Sequence, residues 1–318
     1  GTNRRAARAA AEIAARPDLG CHLVGFVDQC WHDAELARSG QRLVASLDSL
    51  RSYLRENVVD EIVICLPVKS LYDRAVQIVE ASQEQGVSVR FMPDIFAGDG
   101  SGFEDLSVVS SVLPQNRGVA ALIKRASDVL IAVALLGACA PLFGFVAMLI
   151  RLDSEGPVFF VQERVGLNKR RFRLYKFRTM AADAESRRLD LSAFNETSGP
   201  TFKMRNDPRV TRIGRILRRT SIDELPQLIN VLRGDMSLVG PRPLPVLDYA
   251  GFRSDRHRKR LSVRPGITCL WQVQGRSAIP FDRWMELDLK YVDQWSLWLD
   301  LKILILTIPA VIRSSGAS

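Results

Sequence analysis

The first 117 residues alternate short apolar runs with amphipathic stretches. Runs at residues 23–27, 61–66 and 87–92 have the length and composition of buried parallel strands. Between them, apolar residues recur every three or four positions, a spacing that predicts helices. These residues are Leu43, Leu47, Leu50 and Leu54, followed by Leu71, Ala75, Ile78 and Val79. The alternation predicts an α/β fold, with a Rossmann-like, doubly wound parallel sheet over residues 1–115.

The chain opens with a segment that usually follows a first strand. Residues 1–6 (GTNRRA) look like a loop and the start of a helix, but no strand precedes them. We therefore expect the natural chain to extend upstream and the first strand to be missing here. The loop is too incomplete to count as a dinucleotide fingerprint. The first half is interpreted as a regulatory or packing domain rather than a cofactor site.

A long uncharged segment follows at residues 129–150, VLIAVALLGACAPLFGFVAMLI. It is long enough to cross a bilayer, and Pro141 removes one backbone donor from its middle. The segment could span the membrane, or it could enter, turn at Pro141 and leave on the same side. Lys124 and Arg125 precede it and Arg151 follows it, so the positive-inside asymmetry is absent. That symmetry favours a re-entrant hairpin over residues 120–151.

The C-terminal end of the chain also looks membrane-facing. Four of the five Trp residues follow residue 270, and the tail at 297–308 is apolar apart from Asp300 and Lys302. Trp and basic residues on an amphipathic helix are typical of an interfacial helix. The alternative is a packed C-terminal helix with ordinary buried aromatic side chains.

The charge divides between the two halves. Residues 1–117 carry a net charge of −4 and residues 118–318 carry +13, which together give +9 for the 318-residue chain. Opposite charges suggest two domains with different partners, with a boundary near the turn-forming residues 113–118. The five cysteines are far apart, odd in number and lack metal-clip spacing, so the sequence predicts a reducing compartment and no disulfide scaffold.

Basic residues of the second half cluster in three places, at 169–178, 203–219 and 253–264. Within the second cluster, four arginines step by three or four positions and are expected to share a helix face. Arginine suits bidentate phosphate contacts, including those to lipid headgroups. The four arginines are Arg209, Arg212, Arg215 and Arg219.

Two adjacent carboxylates, Asp223 and Glu224, follow these arginines directly. Capping explains one of them: Ser221 and Glu224 have capping-box spacing, or Asp223 is the N-cap with Pro226 in the first turn. Neither alternative explains two carboxylates beside so many cations. A carboxylate can attack phosphorus when a divalent cation and arginines offset the repulsion, and Glu224 could hold Mg²⁺. Downstream, Arg242 sits between two prolines in a loop suited to a phosphate clamp.

Three motifs of the second half resemble one known family. KFRTM (176–180), RRTSIDELPQLINVLRGDMSLVGPRPL (218–244) and RPGITCLWQVQGR (264–276) resemble, in order and spacing, the bacterial sugar transferases. These are polyprenyl-phosphate hexose-1-phosphate transferases that start exopolysaccharide, capsule and O-antigen synthesis. The resemblance covers about residues 118–318, and the first half resembles the Rossmann-like domain of large members, which also carry an N-terminal transmembrane bundle.

The resemblance implies a mostly helical monotopic catalytic domain over residues 116–318, with a re-entrant hairpin broken at Pro141. It implies that Asp223 attacks the β-phosphate of a UDP-sugar, that UMP leaves, and that the phosphosugar then passes to polyprenyl phosphate. Glu224 matches the residue that binds Mg²⁺. Four residues match basic positions near the phosphates: Lys176, Arg178, Arg218 and Arg242.

The family also implies the partners and the location. These are a UDP-sugar donor, a polyprenyl phosphate acceptor and membrane lipid, with the catalytic domain on the cytoplasmic face of the bacterial inner membrane; a homodimer is compatible. Cys269 stands where the family usually has Gly, which questions the local backbone geometry. The main alternative is a non-enzymatic membrane scaffold that binds anionic lipid. Nucleic-acid binding is disfavoured by the apolar segment, and the sequence does not identify the sugar or the polyprenol length.

Overall fold

The computed structural model describes residues 1–66, 71–91, 117–181, 183–184, 186, 204, 207–252, 254–275 and 279–312. It consists of two compact units, Gly1–Arg117 and Gly118–Ser318. Each unit has its own hydrophobic core, and each is described by itself.

The first unit alternates helices and strands. Parallel pairs join β1 to β2 and β3 to β4, with Phe26 opposite Leu43 and Glu61 opposite Ser88. Side chains of α3, α4 and the second pair form one core, which includes Leu50, Ile78 and Val89. The elements are α1 (Arg4–Ala15), β1 (Phe26–Val27), α2 (Ala34–Arg38), β2 (Leu43–Ala45), α3 (Leu50–Glu56), β3 (Glu61–Ile64), α4 (Tyr72–Gln85) and β4 (Ser88–Phe91).

Each of the three predicted strand runs contains a strand, and the end of the third run at Met92 lies outside the described residues. The prediction of a helix beginning at Leu43 is wrong for the first residues of that segment. Leu43 lies in β2, where its backbone pairs with Phe26, and helix α3 begins only at Leu50. Hydrogen bonding to a neighbouring strand, which the local spacing does not report, overrides the helical periodicity there.

The second unit is built on one long helix, a three-stranded antiparallel sheet and a cluster of shorter helices. The sheet has the order β6–β5–β8, and a separate parallel pair joins β7 to β9. The elements are α5 (Arg117–Asp153), β5 (Phe159–Val165), β6 (Arg171–Phe177), α6 (Arg212–Thr220), α7 (Gln227–Arg233), β7 (Ser237–Val239), β8 (Leu244–Pro245), α8 (Val246–Ala250), β9 (Gly266–Thr268), α9 (Leu270–Gln274), α10 (Phe281–Gln294) and α11 (Leu297–Ile312).

Helix α5 contains the apolar segment and continues through Pro141, so the structure does not show the helix break predicted there. Residues 118–153 are long and apolar enough to cross a membrane, and only 11% of the most apolar window is buried in the protein. Helix α11 is apolar as well, and Trp298 is 73% exposed. Exposed apolar surface on this scale marks a contact with lipid or with another protein.

Both ends of α5 are bound within the second unit. Near its start, the Lys124 Nζ atom donates to the Asp300 carboxylate of α11 at 2.6 Å. Near its end, the Asp153 carboxylate accepts from the backbone N–H of Ile213 in α6 at 3.1 Å. The exposed apolar stretch therefore lies between two polar attachments to the same unit.

Candidate active site

The two motif carboxylates lie on a short 3₁₀ turn, Ile222–Glu224, between α6 and α7. Ser221 ends α6 in the left-handed conformation (φ 58°), and the α7 N-cap is Pro226. Both capping hypotheses are therefore wrong, because neither Ser221 nor Asp223 caps a helix N-terminus with its side chain. A tight turn directs two neighbouring carboxylates into the protein instead.

Glu224 holds two cations from distant parts of the chain. The Lys176 Nζ atom at the end of β6 donates to Glu224 Oε1 at 2.8 Å. Arg242 donates through one nitrogen to Glu224 Oε1 and through the other to Oε2 at 3.2 Å. This fork geometry is the strong, oriented form of an arginine–carboxylate pair. The turn and two distant basic residues thereby form one buried cluster.

The charges of this cluster support one another. Burial acts to raise the pKa of Glu224, but Arg242 and Lys176 outweigh it and hold that pKa well below its usual range. Burial likewise acts to lower the pKa of Arg242, and Glu224 outweighs it, so that pKa is raised. Desolvation lowers the pKa of Lys176 in spite of Glu224. Glu224 is therefore a firmly ionised carboxylate at neutral pH.

Asp223 differs from its neighbour. It is 8% exposed, and its carboxylate accepts no hydrogen bond from the residues that the structure describes. Burial, assisted by the repulsion of Glu224, raises the pKa of Asp223 to about 6 against the attraction of Lys176. At pH 7 this carboxylate is still mostly ionised, and no donor from the described part of the chain restrains it. Such a group is available to a ligand or to chemistry.

Arg218 reaches the same region from the last turn of α6. Its Nε atom donates to Thr179 Oγ1 at 3.0 Å, and Asp223 is its strongest charged neighbour. Desolvation lowers the pKa of Arg218 against the attraction of Asp223, although an arginine remains charged at any physiological pH. The structure thus brings Lys176, Arg218 and Arg242 around the two carboxylates.

Asn230 explains how β6 comes to lie beside this turn. This fully buried α7 residue accepts from the Tyr175 N–H at 3.1 Å and donates to the Arg173 carbonyl at 2.6 Å. The side-chain amide thereby satisfies a backbone N–H and a backbone C=O of β6, as a neighbouring strand would do. Lys176 is the next residue on that strand, so Asn230 fixes it beside Glu224. Sequence reasoning missed Asn230, whose only signal was its place in the motif.

Arg178 lies elsewhere. Its guanidinium donates to the backbone carbonyls of Ser154, at 2.7 Å, and Glu155, just after α5. The residue is 6% exposed. Two-residue periodicity would put Arg178 on the same face as Lys176, but β6 ends at Phe177 and the alternation ends with it. The structure thus places Arg178 at the end of the apolar helix rather than with the site cations.

The predicted arginine stripe is also shorter than its spacing suggested. Arg209 precedes α6 and forms a buried pair with Asp207 at 2.6 Å. Arg212, Arg215 and Arg219 lie exposed on α6. The prediction of one face for all four is therefore wrong at Arg209, because a local ion pair holds it outside the helix.

Cys269, the departure from the family pattern, causes no backbone conflict. Its φ of −156° and ψ of 171° are extended values that any residue adopts. Its thiol is buried and donates to Gln272 Oε1 at 3.0 Å. Burial raises the pKa of Cys269 well above its usual range, so the thiol is neutral.

The protein supplies only some of the oxygen ligands that a hard divalent cation requires. Among the described residues, no three His, Cys, Asp or Glu side chains come together as a metal group. Asp223 and Glu224 supply two adjacent carboxylates, and Asp223 receives no hydrogen bond from the residues that the structure describes. Mg²⁺ is commonly held by one or two carboxylates together with substrate phosphates and water. These residues therefore fit Mg²⁺ when a phosphate ligand completes the shell.

Two neighbouring carboxylates and three cations, on the unit that also carries a long exposed apolar helix, form a candidate site for phosphate-bearing ligands. Comparison with known proteins identifies the class. The bacterial sugar transferase family matches residues 119–314, and a CoA-binding domain matches residues 1–93. The chain belongs to the bacterial sugar transferase family, whose polyprenyl-phosphate sugar-1-phosphate transferases it resembles in the motifs described above.

Curated relatives extend over both units. The galactosyl transferase CpsE of Streptococcus agalactiae is 40% identical over 291 residues, 89% of this chain and 64% of that protein. The undecaprenyl-phosphate glucose phosphotransferase of Komagataeibacter xylinus is 38% identical, over 100% of this chain and 59% of that protein. The UDP-glucose:undecaprenyl-phosphate glucose-1-phosphate transferase of Escherichia coli is 31% identical, over 97% of this chain and 68% of that protein. The chain spans about three fifths of the first two relatives.

Proposed function

We propose that the protein transfers a hexose-1-phosphate from a UDP-sugar to undecaprenyl phosphate and so starts the membrane phase of polysaccharide synthesis. The names of the curated relatives support this choice of donor and acceptor. The observation that carries the proposal is the contrast at the turn. Glu224 is paired with Lys176 and Arg242, whereas Asp223 is buried, ionisable and free of hydrogen-bond donors among the described residues.

In the proposed reaction a carboxylate oxygen of Asp223 attacks the β-phosphorus of the UDP-sugar. The bond from that phosphorus to the bridging oxygen breaks, and UMP leaves with its electron pair. The product on the protein is an acyl phosphate that carries the sugar. An oxygen of undecaprenyl phosphate then attacks the same phosphorus, the acyl phosphate bond breaks, and Asp223 is regenerated as a carboxylate.

The surrounding cations offset the repulsion between the Asp223 carboxylate and the substrate phosphates. Lys176, Arg218 and Arg242 lie close enough to Asp223 to interact with its charge. Preorganised cations in a buried site lower the energy of the phosphate oxygens without reorganising during the reaction. Asp223 and Glu224 would hold Mg²⁺ with the substrate phosphates, and the ion would supply further neutralisation of phosphate charge.

The acceptor requires the site to stand at a bilayer surface, and α5 provides the anchor. We infer that α5 is re-entrant, because the two ends of a spanning helix are separated by about 30 Å of hydrocarbon. Here Lys124 and Asp153, near opposite ends of α5, both bind the second unit. A membrane-impermeant maleimide should label Leu122→Cys and Leu152→Cys from the same, cytoplasmic side in a cysteine-free background. Labelling from opposite sides contradicts a re-entrant helix.

The activity is tested on the full protein held in nanodiscs. With Mg²⁺, a panel of UDP-sugars and undecaprenyl phosphate, we expect UMP release with at least one sugar. When the acceptor is omitted, mass spectrometry should find a hexose-phosphate on the peptide that contains Asp223. Chelation of divalent cations should stop both signals. Tight binding to anionic lipid without any UMP release would favour the scaffold hypothesis instead.

A further inference from the structure

Arg242 depends on the backbone that carries it, and that backbone is held by a second buried ion pair. Arg260 lies in a 3₁₀ segment, Asp255–Ser262, and is 2% exposed. Its Nη2 atom donates to the Arg242 carbonyl oxygen at 2.6 Å. The same guanidinium donates to Asp288 Oδ2 of α10 through Nη2 at 2.6 Å and through Nε at 2.9 Å. A continuous chain of contacts therefore runs from Asp288 to Glu224.

The loop at residues 240–243, here called the arginine loop, is restrained on its other sides as well. The Gly240 N–H donates to the Thr268 carbonyl at 3.0 Å, and Arg164 Nη1 donates to the Pro243 carbonyl at 3.1 Å. Pro241 and Pro243 fix their own φ angles. Arg260 supplies the hydrogen bond to the one loop carbonyl that belongs to Arg242 itself.

The Arg260–Asp288 pair is expensive for the fold. Both side chains are 1% exposed, and burial raises the pKa of Asp288 to about 6 in spite of Arg260. Removing charges from water often costs as much as their attraction returns, so such a pair is weak evidence of a stabilising role. The hydrogen bond to the arginine loop gives the pair a different role.

We propose that Arg260 and Asp288 are positioning residues for the phosphate-binding Arg242. Asp288 orients the guanidinium of Arg260, and Arg260 fixes the carbonyl of Arg242, so that the Arg242 side chain meets Glu224 and the substrate phosphates in one geometry. This inference rests on the proposed function, because it assigns a task in that same phosphate site. Neither residue is expected to touch the substrate.

The test measures turnover and ligand affinity together. In Arg260→Met we expect kcat to fall about 10- to 100-fold, since small displacements of a positioning group have effects of that size. Affinity for UDP, measured by calorimetry in the presence of Mg²⁺, should fall as well. Arg260→Lys should recover little, because an ammonium cannot bind Asp288 and the Arg242 carbonyl as a planar fork does. Asp288→Asn should lower kcat, and its melting temperature should also fall, because Arg260 is left as a buried charge without its anion.

The matched control is Arg258→Met. Arg258 lies two residues away and is similarly buried, but its nitrogens donate to Asp255 and to the Phe252 carbonyl rather than to the arginine loop. Its loss should reduce the melting temperature with little effect on UDP affinity. Equal effects of Arg258→Met and Arg260→Met on UDP affinity would mean that Arg260 has only a structural role.

A double-mutant cycle gives the sharpest outcome. In an Arg242→Met background, Arg260→Met should change kcat and UDP affinity less than about twofold, because no guanidinium remains to be positioned. Additive losses overturn the inference. If the unchanged protein releases no UMP, the proposed function fails, and the cycle on UDP affinity still decides whether Arg260 acts through Arg242. If Arg260→Met does not fold, Asp288→Asn in the same two backgrounds carries the test.

Discussion

Two carboxylates flank the arginine loop, and their pKa values are shifted in opposite directions although burial acts to raise both. Glu224 is bound by both Lys176 and Arg242, and its pKa lies well below the usual range. Among the described residues, Arg260 is the one cation paired with Asp288; burial raises the pKa of Asp288 to about 6 in spite of Arg260 and of the Trp284 indole. The second cation accounts for the difference, because one attraction does not offset the loss of water. Asp223, beside Glu224 but without donors among the described residues, behaves like Asp288.

The carboxylates are therefore of two kinds. Some are firmly ionised and hold cations in place, and others are buried at a cost in folding free energy. Groups of the second kind are candidates for function, since stability does not account for them. Asp223 has the position of a nucleophile, and Asp288 has the position of a support. Four experiments test this distinction.

The largest effect is expected at Asp223. We expect Asp223→Asn to lower kcat at least about 10³-fold, because an amide cannot form the acyl phosphate. Its melting temperature should stay equal or rise, since a neutral group replaces a buried charge. UMP release and thermal unfolding are measured side by side, with Asp293→Asn, an exposed carboxylate on α10, as the control. Retained activity would falsify the assignment of Asp223.

Glu224→Gln should reduce both activity and stability. Removing one member of a buried cluster leaves Lys176 and Arg242 without their anion, which destabilises by about 3 kcal/mol. We expect a loss of kcat of about 10²-fold and a lower melting temperature. This pattern differs from Asp223→Asn, where only activity falls. A Glu224→Gln protein that is as stable as the unchanged one contradicts an anchoring role.

Arg178→Met tests where this arginine acts. Its two donated bonds tie the end of α5 to the strand that carries Lys176, and a charged hydrogen-bond donor to a carbonyl contributes about 2 kcal/mol. We expect a lower melting temperature and a KM for the UDP-sugar within about threefold of the unchanged value. The opposite result, a tenfold higher KM with unchanged stability, would restore Arg178 to the phosphate site implied by the family resemblance.

The smallest effect is a pH dependence at Asp288. Its folded pKa of about 6 lies above the usual value of 3.8 for an aspartate, so its contribution to stability is present at low pH and is lost as the pH rises through about 6. Between pH 5 and 7.5 the unchanged protein should lose about 1 kcal/mol relative to Asp288→Asn. The difference in melting temperature between the two, followed with pH, measures this. A flat difference means that Arg260 fully compensates Asp288.

Part of the site was accessible from the sequence because its groups are adjacent or lie in rigid loops. Asp223 and Glu224 are neighbours in the sequence, and the prolines around Arg242 indicate a loop with a rigid backbone. Arg178 shows the limit of such reasoning. It is two residues from Lys176, yet the end of β6 separates their surroundings. Spacing along a chain predicts a shared face only while the regular element continues.

The family, the long apolar segment, the acidic first half, the basic second half and the neighbouring carboxylates Asp223 and Glu224 can all be recognised in the sequence. Each of these is local, since it depends on residue types within a short stretch. The tertiary structure was needed to show which cations reach Glu224, that no described residue donates to Asp223, and that Arg260, paired with Asp288, binds the Arg242 carbonyl. Those contacts join residues 18 to 48 positions apart. Long-range packing creates them, and burial then sets the charge state of each group.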